Sequence, residues 1–421
     1  MSRAIPLFAS ALVAGLIASA GASAQPSSDL EARARAAHAK ALVVDSHADV
    51  PLDFGVGGHE AAVDGDTQVD LPKLKRGGVG AVALAVFVPQ GPRTPEGVAK
   101  ARADADTKLA AIGAAAARHP DQAELALSAD DVRRIHREGK VAILASFLNA
   151  YPFGKDLAPI DDYYRAGVRV FGLVHAGNND YADSSRPSGQ PAAEWGGLSP
   201  VGKAAIARLN RLGVLIDVSQ LSSEGFRQVL AESRAPVVAT HSGVRGMVDS
   251  PRNLSDGELD ALKANGGVIQ IVAFSTYLVR PPADYPDRVR ALRRSYGLAE
   301  AYAHANDGVD ALAADRRAAF NHDLAALTRP GTVKDLVDSI DYAVRRIGVD
   351  HVGIASDFNH GGGVEGFRNE GEALNVTREL VGRGYSDADI AKLWGGNFLR
   401  VLGQAETTGS RLAAAAPEVV R

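Results

Sequence analysis

From residue 41 to residue 358 the chain alternates short β-branched apolar runs with longer stretches whose apolar residues recur at helical spacing. Eight such runs occur, at 41–49, 79–88, 141–150, 168–176, 213–220, 235–242, 266–274 and 351–358. Most are continuous rather than alternating, which is the pattern of strands buried on both faces of a parallel sheet. A charged, alanine-rich helix precedes them at 28–40. Eight strand–helix units predict a (β/α)₈ TIM-type barrel. A doubly wound open sheet shares the alternation and is the competing architecture.

The spacing breaks between the seventh and eighth runs, where 275–332 is an insertion. Within it 277–285 is Pro-rich and reads as loop, whereas 287–302 and 310–327 read as helices. Pro330-Gly331 then interrupts the chain before a helix at 333–347 that leads into the last strand. An insertion here either covers the barrel mouth or elaborates the surface. Residues 412–421 read as a frayed tail.

The first 24 residues stand apart, because Arg3 is their one charged side chain and an apolar run at 4–20 follows it. Ala22-Ser23-Ala24 then supplies small residues before Gln25, which predicts a signal peptide cleaved after Ala24 and a periplasmic or secreted product. A retained N-terminal anchor is the alternative. Residues 25–421 read as one barrel domain. The net charge of −4 is spread without basic or acidic blocks, so neither a nucleic-acid partner nor a charged macromolecular one is expected. With no cysteine there is no disulfide framework, and any metal must be held by His, Asp, Glu or weaker ligands.

In a barrel of this kind the C-terminal ends of the strands face the mouth where chemistry occurs. Here they end in Asp45-Ser46-His47-Ala48-Asp49, His175, Asp217-Val218-Ser219-Gln220, His241-Ser242 and Asp357. His47 and Asp49 stand two apart, so both leave one face of the strand and offer a nitrogen and an oxygen to a divalent cation. Asp357, from the neighbouring strand of the ring, is either a third ligand or the base that takes a proton from water. His175 and His241 can each ligate metal, polarise a carbonyl, or serve as hydrogen-bonded loop residues. Arg252 either clamps a carboxylate or forms a loop salt bridge. His38, His119, His136, His304 and His322 lie away from strand ends and are expected at the surface.

Taken together, these motifs resemble the membrane or renal dipeptidase family of zinc-dependent, amidohydrolase-like barrels. The likeness is carried by Val44-Asp45-Ser46-His47-Ala48-Asp49, Val69-Asp70-Leu71-Pro72-Lys73-Leu74, and Tyr164-Arg165-Ala166-Gly167-Val168-Arg169 leading to His175 and Asn178-Asn179. It continues through Gly197-Leu198-Ser199, Asp217-Val218-Ser219, His241-Ser242, Arg252-Asn253-Leu254, Gly353-Ile354-Ala355-Ser356-Asp357-Phe358 and Gly395-Gly396-Asn397-Phe398. The resemblance implies hydrolysis of dipeptides, often with a D-residue at the C-terminal position, by a metal-activated water, and often a homodimer. It places His47, Asp49 and Asp357 at a first zinc and His241 at a second. It makes His175 the oxyanion stabiliser, Asp357 the proton carrier and Arg252 the carboxylate clamp, with Asn179 and Tyr151 as further substrate-binding candidates.

The chain departs from the family pattern at the second metal. The bridging glutamate expected at the end of the third strand corresponds to Leu148 in Leu148-Asn149-Ala150-Tyr151-Pro152, and the histidine expected after Asp-Val-Ser is Gln220, a weak zinc ligand. Ser339 stands where a histidine is common, and Asn359 where a second aspartate is usual. A one-zinc dipeptidase is therefore the expectation. A peptide-binding barrel without turnover, or a hydrolase of another amide or ester, are the alternatives.

Overall fold

The computed structural model describes residues 25–55, 59–187, 190–301, 305, 308–309 and 312–415. The expected signal peptide at 1–24, His304 and the end of the tail at 416–421 lie outside these residues. All eight expected strands form: β1 (Val43–Asp49), β2 (Val79–Phe87), β3 (Val141–Leu148), β4 (Val168–Gly172), β5 (Leu215–Asp217), β6 (Val238–Val244), β7 (Val268–Val272) and β8 (Val352–Ala355). They pair in parallel in chain order. The ring closes where Ala48 bridges Phe358, with the Asp49 amide donating to Phe358 O at 2.9 Å and the Asp357 amide to His47 O at 3.0 Å. Sequential order and closure exclude the doubly wound sheet. Two further short strands, Ala123–Leu125 and Asn253–Leu254, pair with β3 and β6 outside the ring.

Every barrel strand is buried along its whole length, as its continuous apolar run requires. Val44, Ala83, Leu144, Val170, Leu215, Val238 and Val268 cluster with Phe398, Val401 and Leu402 of the C-terminal helix Asn397–Ala414. That helix plugs the end of the barrel opposite the catalytic ends of the strands. Asn397 ties it there through Nδ2 bonds to Val349 O and Val352 O, which explains the Gly-Gly-Asn-Phe motif structurally. Because the helix continues to Ala414, the tail expected from 412 begins later. Helix ends are set by local chemistry: Ser255 and Glu258 form a capping box on Asp256–Asn265, and Gly266, at φ 80°, ends that helix two residues before β7.

The insertion differs from expectation in its details. A helical turn, Ser275–Leu278, occupies part of the expected loop. The next helix, Tyr285–Ser295, stops short of 302 because Gly297 turns the chain at φ 76°. The following helix is Ala314–Ala325, packed on the previous one through Tyr296 against Phe320. His38 is not a surface residue: it is buried, with its ring nitrogens 2.7 Å from Thr377 Oγ1 and 2.7 Å from Gly77 O. No helix among the described residues is long and apolar enough to cross a membrane.

Candidate active site

The β1 end carries a register irregularity between Asp45 and Ala48, a bulge of the kind that re-aims side chains at barrel rims. His47 Nε2 and Asp49 Oδ1 come within 3.6 Å of each other, and His47 Nε2 within 3.9 Å of Asp357 Oδ1. Both His47 Nε2 and Asp49 Oδ1 are buried without a hydrogen-bond partner among the described residues. Buried polar atoms left this way normally cost a few kcal/mol each, so their convergence marks the place of a missing partner. Three donor atoms of N and O type at these separations suit a small divalent cation. Asp357 is held at φ 55°, an uncommon conformation for a non-glycine residue, which swings its carboxyl from the end of β8 toward His47. Burial pushes its pKa up to about 6.

The His241 ring stacks on His47 with centroids 3.8 Å apart, and His47, His241 and Asp357 have ligand atoms within 4.8 Å of one another. A chain of bonds sets the His241 tautomer. Thr240 Oγ1 donates to Asp217 Oδ2 at 2.7 Å, which leaves that hydroxyl to accept from His241 Nδ1, also at 2.7 Å. The Nε2 lone pair then accepts from the Gln220 side-chain amide at 2.9 Å. Asp217 is filled by Ser219 N, Ser219 Oγ, Thr240 N and Thr240 Oγ1, so it braces the ends of β5 and β6 instead of binding metal. Its bond to the Ser219 amide also turns the chain and ends β5 at Asp217, before the expected 220.

The second metal seat does not fit a cation. Leu148 is buried at the end of β3, where its side chain and that of Asp217 converge over Gly172 from the two flanking strands, and presents only carbon. Gln220 is engaged at both ends: its amide N–H bonds His241, and its Oε1 accepts from Arg186 Nη2 at 3.1 Å. Ser339 is buried with its hydroxyl unpartnered on the helix Val333–Ile347, one layer away from the strand ends. Asn359 at φ 64° binds Gln68 N and Asp49 O, and so shapes the loop after β8.

Arg252 is 2% exposed, with Nη1 donating to Ser219 O and Nη2 to His241 O at 2.7 Å. Its Nε has no hydrogen-bond partner, and no carboxylate among the described residues lies in ion-pair contact with it. The loop salt bridge weighed for it is therefore absent. A buried guanidinium held by backbone carbonyls, with N–H groups to spare, is an anion receptor. Tyr277, from the first turn of the insertion, lies 5.3 Å from it. Burial, with Arg186 nearby, pushes the His175 pKa well below 6.5 and keeps its ring neutral.

Two of the expected substrate contacts bond within the fold. Asn179 uses all four of its hydrogen-bonding positions inside the fold, donating to Asn149 Oδ1 and Leu173 O and accepting from the amides of Tyr181 and Ala182. Tyr151 donates its hydroxyl to Pro92 O at 2.8 Å and anchors the loop after β2. Both hold loops: Asn179 has no bonding position left for a ligand, and Tyr151 has spent its one donor.

Two other residues enter the site without having been read from the sequence. His360 pairs through Nδ1 with Asp49 Oδ2 and stacks on His175 and Phe87. Burial would raise the Asp49 pKa, but the charge and hydrogen bond of His360 hold it below the ordinary carboxylate range. Asp49 therefore keeps Oδ1 as an anionic donor toward His47. Arg186 lies 3.4 Å from His175 Nε2 as well as bonding Gln220. A histidine three places after Asp357 was visible in the sequence; Arg186 lies in a loop with no motif to mark it.

A parallel barrel with a His–Asp–Asp cradle at its strand ends, facing a buried arginine, defines the class of metal-dependent barrel hydrolases. The chain matches the model of the membrane dipeptidase family (Peptidase family M19) over residues 31–416. It belongs to that family and is a hydrolase of its metallo-dipeptidase kind. It is 30% identical to Dipeptidase tcpJ of Claviceps purpurea over 346 residues, covering 80% of this chain and 69% of that protein. With Dipeptidase aclJ of Aspergillus oryzae it shares 30% over 355 residues, 83% of this chain and 73% of the relative. Among solved structures, the probable dipeptidase PvdM from Pseudomonas aeruginosa superimposes with a TM-score of 0.83 at 44% identity, covering 90% of this chain and 99% of that one. A metallo peptidase from Rhodobacter sphaeroides, liganded with a phosphinate mimic of L-Ala-D-Ala, shares the fold at 21% identity and a TM-score of 0.66, over 86% of this chain and 99% of that one.

Proposed function

We propose that the protein hydrolyses dipeptides at a single zinc site formed by His47, Asp49 and Asp357, with His241 stacked beside them. The observation that carries this reading is the pair of buried, unpartnered atoms His47 Nε2 and Asp49 Oδ1, converging with Asp357 Oδ1, while the anion-receptive Arg252 is bonded to the backbone of His241, whose ring stacks on His47. His47, Asp49 and Asp357 would hold the zinc, whose Lewis acidity would make water nucleophilic at neutral pH. The side chains do the rest. Arg252 holds the C-terminal carboxylate and so fixes the scissile bond over the cradle. His175, neutral, offers a hydrogen bond to the carbonyl oxygen as charge develops there. Asp357 accepts the proton of the attacking water and delivers it to the leaving amine. A clamp on the carboxylate leaves the side-chain direction unread, so a D-residue at the C-terminal position falls within the proposed range, as in the ligand of the Rhodobacter sphaeroides peptidase.

Elemental analysis of protein purified without chelator, paired with assays on L,L- and L,D-dipeptides, tests the reading. One zinc per chain with hydrolysis is expected. Two zinc ions per chain would overturn the single-site reading. The loss of Leu148 and Gln220 as ligands favours a second reading, a peptide-binding barrel without turnover, and zinc-free protein that binds dipeptides uncleaved would establish it. Export is part of the proposal, supported by the apolar run at 4–20 and by Ala22-Ser23-Ala24. N-terminal sequencing of the mature protein should then begin at Gln25.

A further inference from the structure

We propose that the guanidinium of Arg186 takes the place of a second metal ion, acting as the fixed cation that binds the carbonyl oxygen of the substrate as it becomes an oxyanion. This rests on the hydrolase reading above and names a catalytic group within it. Arg186 is delivered by a segment strapped to Gln220 itself. Ser185 N donates to Gln220 O at 2.9 Å, Ser222 N donates to Asp183 O at 2.9 Å, and Ser184 bridges Leu221 in antiparallel fashion. Behind it, Gly177 N donates to Arg186 O at 2.7 Å, and Arg186 N to Ser184 Oγ at 3.0 Å. The Ser184 hydroxyl in turn donates to His175 O, so one loop positions both Arg186 and His175.

At the tip of this loop the Gln220 amide links two groups. Its oxygen accepts from Arg186 Nη2 at 3.1 Å and its nitrogen donates to His241 Nε2 at 2.9 Å. A histidine in place of Gln220 could not serve both neighbours in this way while also ligating metal. A carboxylate in place of Leu148 would add a negative group beside Asp217. With Leu148, Gln220 and Arg186 together, the pocket gains one permanent positive charge and loses the means to hold a divalent one. Arg186 Nη2 lies 3.4 Å from His175 Nε2, so the guanidinium and the imidazole stand side by side in the pocket. Two anions are generated or presented in the proposed reaction: the substrate carboxylate, assigned to Arg252, and the oxyanion formed when the carbonyl π pair moves onto oxygen as water adds. Arg186 and the neutral His175 donate to the second.

The test uses the full mature chain and the variants Arg186→Ala and Arg186→Lys. Arg186→Ala should keep its single zinc, lower kcat by roughly 10²–10³-fold, the range for losing one oxyanion donor, and leave KM nearly unchanged. Its affinity for a phosphinate mimic of Ala-Ala, measured by calorimetry, should fall by a comparable factor. Millimolar guanidinium should restore part of the activity, and Arg186→Lys should lie between the two. Metal stoichiometry supplies a readout independent of turnover. Leu148→Glu with Gln220→His should still bind one zinc while Arg186 is present, and should bind two once Arg186→Ala is added. Two zinc ions in the wild type, or in the double variant that retains Arg186, would overturn the proposal, as would an Arg186→Ala protein with unchanged kcat and phosphinate affinity. If the wild type binds the phosphinate but cleaves no dipeptide, the hydrolase reading fails. Loss of phosphinate binding in Arg186→Ala would then still uphold Arg186 as the anion-binding cation.

Discussion

Beneath the site lies a pair of buried acids, Asp45 on β1 and Glu370 in the loop after β8, 2% and 1% exposed. Asp45 accepts from Ser356 N at 2.9 Å, Ser356 Oγ at 2.5 Å and His47 N at 3.3 Å, and the buried Glu370 carboxyl is its neighbour. Glu370 Oε1 has no partner. The negative charge therefore resides on Asp45 and the proton on Glu370, whose pKa burial and the Asp45 charge drive well above the usual range. An acid whose folded pKa is raised binds more protons in the folded than in the unfolded state above the unfolded pKa. Stability then falls as pH rises, by about 1.4 kcal/mol per pH unit from about pH 4.3, for as long as folded Glu370 keeps its proton. Glu370→Gln keeps the shape of the side chain and has no proton to lose. The variant should match the wild type near about pH 4 and exceed it by about 1.4 kcal/mol more with each unit above that until folded Glu370 ionises, where the gap levels off. Urea unfolding of both proteins at about pH 5, 6 and 7 reads this slope directly. Comparing the two cancels the titration of groups they share. In thermal melts the same effect amounts to roughly 1 °C per kcal/mol for a chain of this size. A stability gap that does not change with pH, or a variant weaker at every pH, would refute the assignment of the proton to Glu370.

Three further outcomes follow from the packing around the site. A Cβ at Gly77, the last residue of the helix Leu71–Gly77, would lie 1.9 Å from Glu370 O, so Gly77→Ala should cost about 1–3 kcal/mol in urea unfolding, and a neutral result would contradict the close approach of that helix to the loop after β8. Arg252→Lys removes the planar fork while keeping charge, and should raise KM for a free dipeptide at least roughly 10-fold; a dipeptide amide should not distinguish the two proteins, and equal KM values for the free dipeptide would remove Arg252 from carboxylate recognition. Asp335 caps the helix Val333–Ile347 through Thr332 and pairs with Arg329, contacts led by the Arg329 hydrogen bond that hold its carboxyl at about 2. Because that pKa is lowered, its contribution is present above about pH 4 and is lost as pH falls through about 2. Asp335→Asn should cost about 1–2 kcal/mol near neutral pH, and no measurable loss there would show that the cap is not holding the insertion's exit.

The barrel can be read along the chain because its strands are buried on both faces, so that each announces itself as an unbroken apolar run whatever its neighbours are. The helices of the insertion are less legible, since Tyr285–Ser295 ends where Gly297 turns and not where the apolar pattern fades. At the site, position at a strand end brings His47, Asp49, His241 and Asp357 together, because a parallel barrel gathers every strand's C-terminal end into one ring. The same rule misplaces Asn179 and Tyr151, whose motifs also follow strands, and misses Arg186 and His360. The difference lies in where hydrogen bonds are spent. Asn179 has four positions and uses all four inside the fold; Arg252 uses one N–H on each of two nitrogens and leaves Nε without a hydrogen-bond partner among the described residues. Arg186 reaches the site only because Ser185 and Ser222 tie its loop to the end of β5, and His360 only because Asp357 and Asn359 both take positive φ and fold the chain back over Asp49. Those contacts join residues distant along the chain or depend on backbone conformations that residue type alone does not dictate. A loop residue's role is therefore decided by what remains of its bonding capacity after the loop has folded, and in this protein that remainder separates the residues that hold the mouth in shape from those that keep polar atoms to offer there.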